Sequence, residues 1–428
     1  FRMTQIAEFG QTATEILDAM IRDFLVDEGG FAAAWDADSE HEEGKFYSWS
    51  LAELEKIFAG DANTLALVVA YYGVTKEGNF EHNTTVLAKK KELYELATEM
   101  LSPGKVVEKR LKAANKKLFE IRKKRIHPLK DPKVILGWNA MAVSALAKAS
   151  VILKNPKYAQ AAQRAMAFAD RTMALESGFL RRYDQGKAGF PASLRDVALH
   201  LKASLDLYDA TLDPRHARRA QTLSLMIYKQ YGPGDEGGAY YETREGVALI
   251  IERRKVLSDS ALPCGNATLA RSLIRLHSLT GEARYREHAE AILKTAAEAN
   301  KERPYASAEM LIAALMAQLP IPELAISGDL RHPMSKALLD VLRQSNTPFS
   351  ITAHRPLAAA GEKAANAVAL LRNKGLINGR PTAYLCFNFS CKEPTNDPAV
   401  IAKVLKELFP LKKKLTFKPV PAPTSQPK

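Results

Sequence analysis

Three times in this chain an Ala-rich amphipathic stretch opens on a capping signal just after another helical stretch, and this repeat restricts the fold more than any other feature. The openings are Asn155-Pro156-Lys157-Tyr158, Asp213-Pro214-Arg215-His216 and Gly281-Glu282-Ala283-Arg284-Tyr285. Asn or Asp accepts hydrogen bonds from the free N–H groups of a first helical turn, and proline fits there because its missing donor has no partner to lose. Helical patterns over 139–153, 198–211 and 267–280 precede the openings, so the repeating unit is a helical hairpin. Glycine turns followed by an aromatic recur with it: Gly29-Gly30-Phe31, Gly178-Phe179 and Gly237-Gly238-Ala239-Tyr240. Glycine supplies the left-handed conformations that end a helix, and the aromatic returns the chain to the core.

Further helical patterns lie over 12–26, 51–58, 63–72, 89–100 and 106–125. Together they predict a mainly α fold, a closed α/α toroid of about six hairpins whose loops on one face surround a central cavity. Function is expected in that cavity. From Ile321 the pattern changes to short β-like runs over 324–327, 349–352 and 382–387, with helical stretches over 334–343 and 364–372 and a last helix from Asp397-Pro398 to Leu408. The predicted organisation is an α/α toroid over 1–320, a small α/β appendix over 321–410 and a basic, Pro-rich tail over 411–428.

The chain carries 61 Lys and Arg against 48 Asp and Glu, a net +13, but the excess is local. Residues 105–133 hold twelve basic and three acidic side chains. Their apolar positions, Val107, Leu111, Leu118 and Ile121, follow a helical period, so the charges read as a solvated face. A single aromatic, Phe119, lies among them, short of the interleaved set that a base-stacking platform requires, and nucleic acid is not an expected partner. No apolar run has the length of a membrane span. Three cysteines, Cys264, Cys386 and Cys391, are too few for a disulfide framework and fit a reducing, cytoplasmic setting. The odd offset between Cys386 and Cys391 on an extended strand points them to opposite faces and argues against a bond between them. Scattered histidines and the absence of HExxH, GxSxG and phosphate-loop motifs lead us to expect no metal and no cofactor.

The richest local chemistry lies between Trp35 and Trp49, where Asp36, Asp38, Glu40, Glu42 and Glu43 sit beside Trp35, Phe46 and Tyr47. Sugar hydrolysis uses such neighbours, with ring faces stacking on pyranose C–H groups and paired carboxyl groups acting as acid and base. The alternative is a solvated loop braced by Asp36 and Asp38. Lys133 with Trp138-Asn139 forms a second group, in which Asn offers donor and acceptor to a hydroxyl-rich ligand or else caps a helix. Ser258-Asp259 with Cys264-Gly265-Asn266 forms a third, with Asn266 as the expected N-cap and Cys264 as a thiol whose pKa a helix start would lower, although no neighbouring His supports a nucleophile there. Asp196 holds the matching place in another hairpin, as cap or cavity acid.

Taken in order, these segments resemble the YyaL-like family that includes the spermatogenesis-associated protein 20 group. The matching runs are Gly29-Gly30-Phe31, Asp36-Ala37-Asp38-Ser39, Glu43-Gly44-Lys45-Phe46-Tyr47, Tyr71-Tyr72-Gly73-Val74, Gly78-Asn79-Phe80-Glu81, and Lys124-Arg125 with Pro128, Lys133, Trp138 and Asn139. They continue through Asp196, Ala198, Leu207-Tyr208, Asp259, Pro263, Gly265 and Asn266 to Cys386, Asn388, Phe389, Cys391 and Asp397-Pro398. The resemblance implies a six-hairpin α/α toroid similar to glycoside hydrolases and N-acylglucosamine 2-epimerases, joined in the family to a thioredoxin-like N-terminal domain. The 428 residues contain no such domain, so the chain is expected to be a piece of a longer protein or a shortened relative. It departs from the family at Trp35, where Glu is usual, at Ala140 (Gly), at Cys264 (Ser), and at Arg195 and Val197, which flank Asp196 where Asp and Tyr are usual.

These readings converge on a carbohydrate-active protein, similar to a glycoside hydrolase or sugar epimerase, working on a carbohydrate or sugar phosphate. Asp36, Asp38, Asp196 and Asp259 are the acid/base candidates, and Trp35, Tyr47, Lys133, Trp138, Asn139 and Asn266 the sugar-binding ones. The rival is a non-catalytic scaffold for a thioredoxin-like domain or protein partner, which the lost acids and tyrosine favour.

Overall fold

The computed structural model describes residues 1–247, 252–345, 347 and 349–409. The expected tail over 411–428 lies outside the described residues. Two compact units emerge: Ala34–Asp131 forms the smaller, and Phe1–Ala33 with the described residues from Pro132 onward forms the larger.

The larger unit opens with α1 (Ala7–Phe24). The smaller unit then contributes α2 (Leu51–Ile57), α3 (Ala62–Tyr72), α4 (Leu93–Glu99) and α5 (Gly104–Arg122). Back in the larger unit follow three hairpins: α6 (Leu136–Ile152) with α7 (Pro156–Thr172), α8 (Leu194–Thr211) with α9 (Pro214–Tyr231), and α10 (Gly265–Thr280) with α11 (Ala283–Glu302). Next comes α12 (Ala308–Gln318). The start signals work as read: Asn155 accepts from Lys157 N at 3.2 Å and Asp213 from Arg215 N at 2.9 Å, each before a proline.

The hairpins stack into two layers. Thirteen of the 18 residues of α8 are buried but only six of the 18 of α9, which places α8 inside and α9 outside. A helix buried on most sides has neighbours there, and α8 packs against α6, α9 and α10 while α10 packs against α8, α11 and α12. Alanines at 161, 162, 165 and 169 on α7 are buried and let α7 approach α6 closely. The fold is thus mainly α, as the hairpin repeat predicts: an α/α double layer with three complete hairpins in this unit, α1 against the first and α12 against the last.

A β-hairpin that the sequence pattern presents as a glycine turn follows α7. Strands Gly178–Asp184 and Lys187–Pro191 pair antiparallel around Gln185-Gly186, both at positive φ. The mirror-image turn suits the right-handed twist of the strands, but the short, Arg-rich run Gly178–Asp184 shows little alternation in sequence.

The α/β appendix is present, in a sheet ordered 351–355, 323–327, 382–387, 390–391. Its central strand Glu323–Ser327 is buried throughout and pairs parallel with Ile351–Arg355 and antiparallel with Thr382–Phe387. Leu324 and Ile326 pack with helices α13 (Pro333–Gln344) and α15 (Pro398–Leu408), whereas Ala325 turns to the other face and joins the core of α8 and α10, as do residues of α14 (Ala359–Ala367). This shared core explains why the chain does not part at residue 320.

Cys386 and Cys391 form a disulfide, contrary to the sequence expectation. An odd offset separates two side chains only while they stay on one continuous strand. Here the chain reverses at Asn388-Phe389, both at positive φ, so Cys386 and Cys391 become directly paired neighbours on two strands. With two of three cysteines bonded, cysteine count no longer speaks for a reducing compartment.

In the smaller unit Trp49, Leu54, Phe58, Val68 and Leu118 form one cluster, and Leu67, Leu96, Val107 and Leu111 another. Ser50 and Glu53 start α2 with a reciprocal capping box. Arg125 fixes the loop that precedes α2. Its guanidinium stacks 3.9 Å from the Trp49 ring and donates to the carbonyls of Lys45, Phe46 and Ser48 and to Glu53. Among the described residues no helix is long and apolar enough to cross a membrane.

Candidate functional site

One outer helix runs back between successive inner helices, so α6, α8, α10 and α12 run in the same direction and their N-termini gather on one face of the larger unit. Glycine permits the close approach. A Cβ on Gly137 would sit 2.6 Å from Asp196 Oδ1, and one on Gly265 would sit 2.8 Å from the Arg195 main-chain nitrogen. Asp259 joins the next pair, accepting from Cys264 N at 2.8 Å and Glu309 N at 2.9 Å. It thus satisfies free N–H groups at the starts of both α10 and α12.

Asp196 is buried at the third position of α8, where its Oδ2 accepts from Ser193 N and Ser193 Oγ, each at 3.0 Å, with Arg181 Nε 3.7 Å away. Close to Ser193 lies the Glu242 carboxyl, a residue that sequence reasoning does not single out. Burial, helped by the nearby charge of Asp196, pushes Glu242 above the usual carboxyl range against the pull of Ser193 and Arg195. Its Oε2 is buried without a protein partner. The one signal in sequence is position: Glu242 stands two residues after the aromatic that closes the Gly237-Gly238-Ala239-Tyr240 turn.

Trp138, in the first turn of α6, is 46% exposed. Lys133 is half-buried just before that helix, and Arg195 Nη1 lies 3.4 Å from Ser260 Oγ. Cys264 corrects an expectation. Burial raises its thiol pKa rather than lowering it, and Sγ donates to Val256 O at 3.2 Å, so it is a packed thiol and not a nucleophile.

Asn139 and Asn266 are placed otherwise than expected. Asn139 Oδ1 accepts from Phe31 N at 2.7 Å, and its Nδ2 donates to Phe31 O and Ile135 O at 3.0 and 3.1 Å. Asn266 repeats the arrangement with Tyr240 N at 2.8 Å and with Tyr240 O and Val256 O, both at 2.9 Å. Each clamps the aromatic of a Gly-Gly turn, and each is buried with both donors occupied. Asn266 is not the N-cap either; that position falls to Cys264.

In the smaller unit Trp35 and Lys130 are paired neighbours on short strands, with the Lys130 ammonium 5.3 Å from the Trp35 ring and His127 beside it. Asp36 and Asp38 are exposed, and Asp38 N donates to Asp36 Oδ1 at 3.1 Å. Tyr47 is 44% exposed and rests edge-on against Phe46. Glu42 pairs with Lys45 at 2.7 Å. Among the described residues no cluster of three His, Cys, Asp or Glu side chains is arranged to hold a metal.

This architecture defines a protein class, stacked α/α hairpins carrying polar loops at the inner-helix N-termini and followed by a small α/β sheet. The chain is a homologue of spermatogenesis-associated protein 20: it is 27% identical over 434 residues to that protein of Rattus norvegicus, covering 93% of this chain and 54% of that one. For the Homo sapiens protein the figures are 26% over 440 residues, 95% and 56%. The chain therefore spans about half the length of the curated relatives it matches. No family model matches it. Among solved structures it is similar to a GH76 α-mannanase of Bacteroides thetaiotaomicron, at 13% identity and a TM-score of 0.37 over 72% of this chain and 78% of that one.

Proposed function

We infer that the chain is a carbohydrate-active protein whose working surface is the inner-helix N-terminal face. The observation that carries this is the pair of neighbouring carboxyl groups, Asp196 and Glu242, that meet beside Ser193 on the face that also presents Trp138. Glu242 holds its proton to higher pH than an ordinary glutamate, as a general acid must, because burial and the nearby charge of Asp196 disfavour its ionised form. The Trp138 ring offers an apolar plane for pyranose stacking. Asp259 supports the face by tying α10 to α12, and Lys133 stands at its edge for a carboxylate or phosphate on the sugar. Asp36 and Asp38, exposed beside Tyr47 in the smaller unit, are a separate proposal for acid/base work.

A thermal-shift screen against mono- and oligosaccharides tests this reading, since a ligand of the folded state raises the melting temperature. A hit should disappear in Trp138→Ala, and Glu242→Gln should bind the same sugar yet turn it over at least about 100-fold more slowly, the usual contribution of a general acid. The same assay on Asp36→Asn and Asp38→Asn decides their role: unchanged turnover removes them. The scaffold reading has its own support in Asn139, Asn266 and Asp259, whose polar atoms brace the fold. Silence across the screen selects it.

A further inference from the structure

At the opposite ends of α6, α8 and α10 the larger unit holds a second charged site, and its chemistry differs from that of the N-terminal face. A cavity of about 180 Å³ is lined by Arg2, Lys148, Asp206, Asp209, Arg343 and the hydroxyl-bearing Thr352. Two cations from neighbouring positions answer its two acids. Lys202 Nζ lies 2.8 Å from Asp206 Oδ2, and Arg275 forks between Asp206 Oδ1 at 2.8 Å and Asp209 Oδ2 at 2.7 Å. With those charges matched, Arg2, Lys148 and Arg343 outnumber the one further acid, Asp340, which faces Arg343 and lines the adjoining cleft.

The surplus cations are held by weak or neutral partners. Lys148 Nζ is 3.4 Å from an Asp206 oxygen that Lys202 already occupies more closely. Arg343 Nη2 donates to the main-chain oxygens of Asp209 and Ala210, and Arg2 Nη2 to those of Ser345 and Thr347. Cations at helix C-termini are stabilised by the carbonyl dipoles, which accounts for Arg343 as a cap of α8. That accounts for one of the three. Beside the cavity, and sharing Arg2, Val151, Ile152 and Arg343 with it, lies a larger cleft of about 740 Å³.

The geometry points to a binding site for a phosphate dianion, either free or as the head of a phosphate monoester whose organic part lies in the adjoining cleft. Arg343 and Arg2 supply planar donor forks, Lys148 a mobile point charge from its half-exposed position, and Thr352 a hydroxyl, the donor set that oxyanion recognition uses. Asp206 and Asp209 exclude a bare cluster of positive charge and keep the cations aimed in the unliganded protein.

The test titrates the 428-residue chain with inorganic phosphate and, separately, glucose 6-phosphate, at fixed ionic strength so that screening stays constant. Calorimetry is expected to show saturable binding of at least one. Lys148→Ala should weaken it about tenfold or more, the effect of one charge-assisted contact, while the exposed Lys187→Ala leaves it unchanged. Arg343→Gln should weaken it similarly; if that variant fails to fold, Lys148→Ala decides. Tighter binding of glucose 6-phosphate assigns the cleft to the organic part. No saturable binding of either probe, or equal weakening by Lys148→Ala and Lys187→Ala, overturns the site. Because the other face is also proposed to take a sugar phosphate, glucose 6-phosphate binding counts for this site only where Lys148→Ala weakens it, whereas binding that Lys148→Ala leaves intact belongs to the other face and overturns the assignment.

Discussion

Asp206→Ala is expected to lower the stability of the larger unit by about 3–5 kcal/mol, the range for removing one partner of a buried ion pair. The side chain is 2% exposed, on α8. It gathers Lys202 from its own helix, Arg275 from α10 at 2.8 Å and Lys148 from α6 at 3.4 Å, so a single carboxylate ties three inner helices. Burial works against its charge, yet Lys202, Arg275 and Lys148 outweigh that and hold the carboxyl well below its usual range. Alanine leaves Lys202 buried without its partner and Arg275 shared with Asp209 alone. The pH dependence follows from the depressed pKa. In the unfolded chain the group titrates near about 3.9, so its stabilisation is present above that value and declines as pH falls below it towards the folded pKa. Urea unfolding should therefore show the full gap between wild type and Asp206→Ala at pH 7 and a smaller one at pH 3. A loss under about 1 kcal/mol at pH 7 would mean that the pairs behave as exposed surface bridges do.

The hairpins are legible in the sequence because their signals are local: an Asn-Pro or Asp-Pro start and a 3.6-residue period are written within one turn of where they act, as at Asn155, Asp213 and Asp397. The appendix is legible for the same reason, although the helix read over 364–372 begins at Ala359 in the structure. What stays hidden depends on partners distant in sequence. The pairing of Cys386 with Cys391 needs a chain reversal that no Gly-rich turn announces, because Asn388 and Phe389 take the left-handed conformations themselves. Glu242 acquires its raised pKa only in the folded chain, where burial, helped by the charge of Asp196 on α8, outweighs the pull of Ser193 and Arg195. Asn139 and Asn266 stand out in the sequence, but a side chain that brackets a residue 108 or 26 positions away looks there like one that waits for a ligand. The motif marks positions where something must be held in place, and only the fold says that it is the protein's own backbone.

That distinction makes Asn266→Ala the sharper of the two large effects expected. The amide is fully buried, accepts from Tyr240 N and donates to Tyr240 O and Val256 O. Alanine removes a partner from all three main-chain groups and orphans Tyr240 N and O, each worth about 1–3 kcal/mol when buried and unpaired. Val256 O keeps one partner, the Cys264 thiol at 3.2 Å, so the expected loss is about 3 kcal/mol rather than the full sum. Asn266→Asp separates bracing from ligand contact. It retains an acceptor for Tyr240 N but replaces the donor with an oxygen facing two carbonyls, so a brace predicts that aspartate is no better tolerated than alanine despite its matching shape. A sugar contact predicts the reverse, with both variants melting like wild type and only ligand binding lost. The turn itself reports on the outcome. If Asn266 holds Tyr240 in place, hydrogen exchange at the Tyr240 amide should accelerate in either variant well beyond the change in global stability, because the local clamp opens before the helices part.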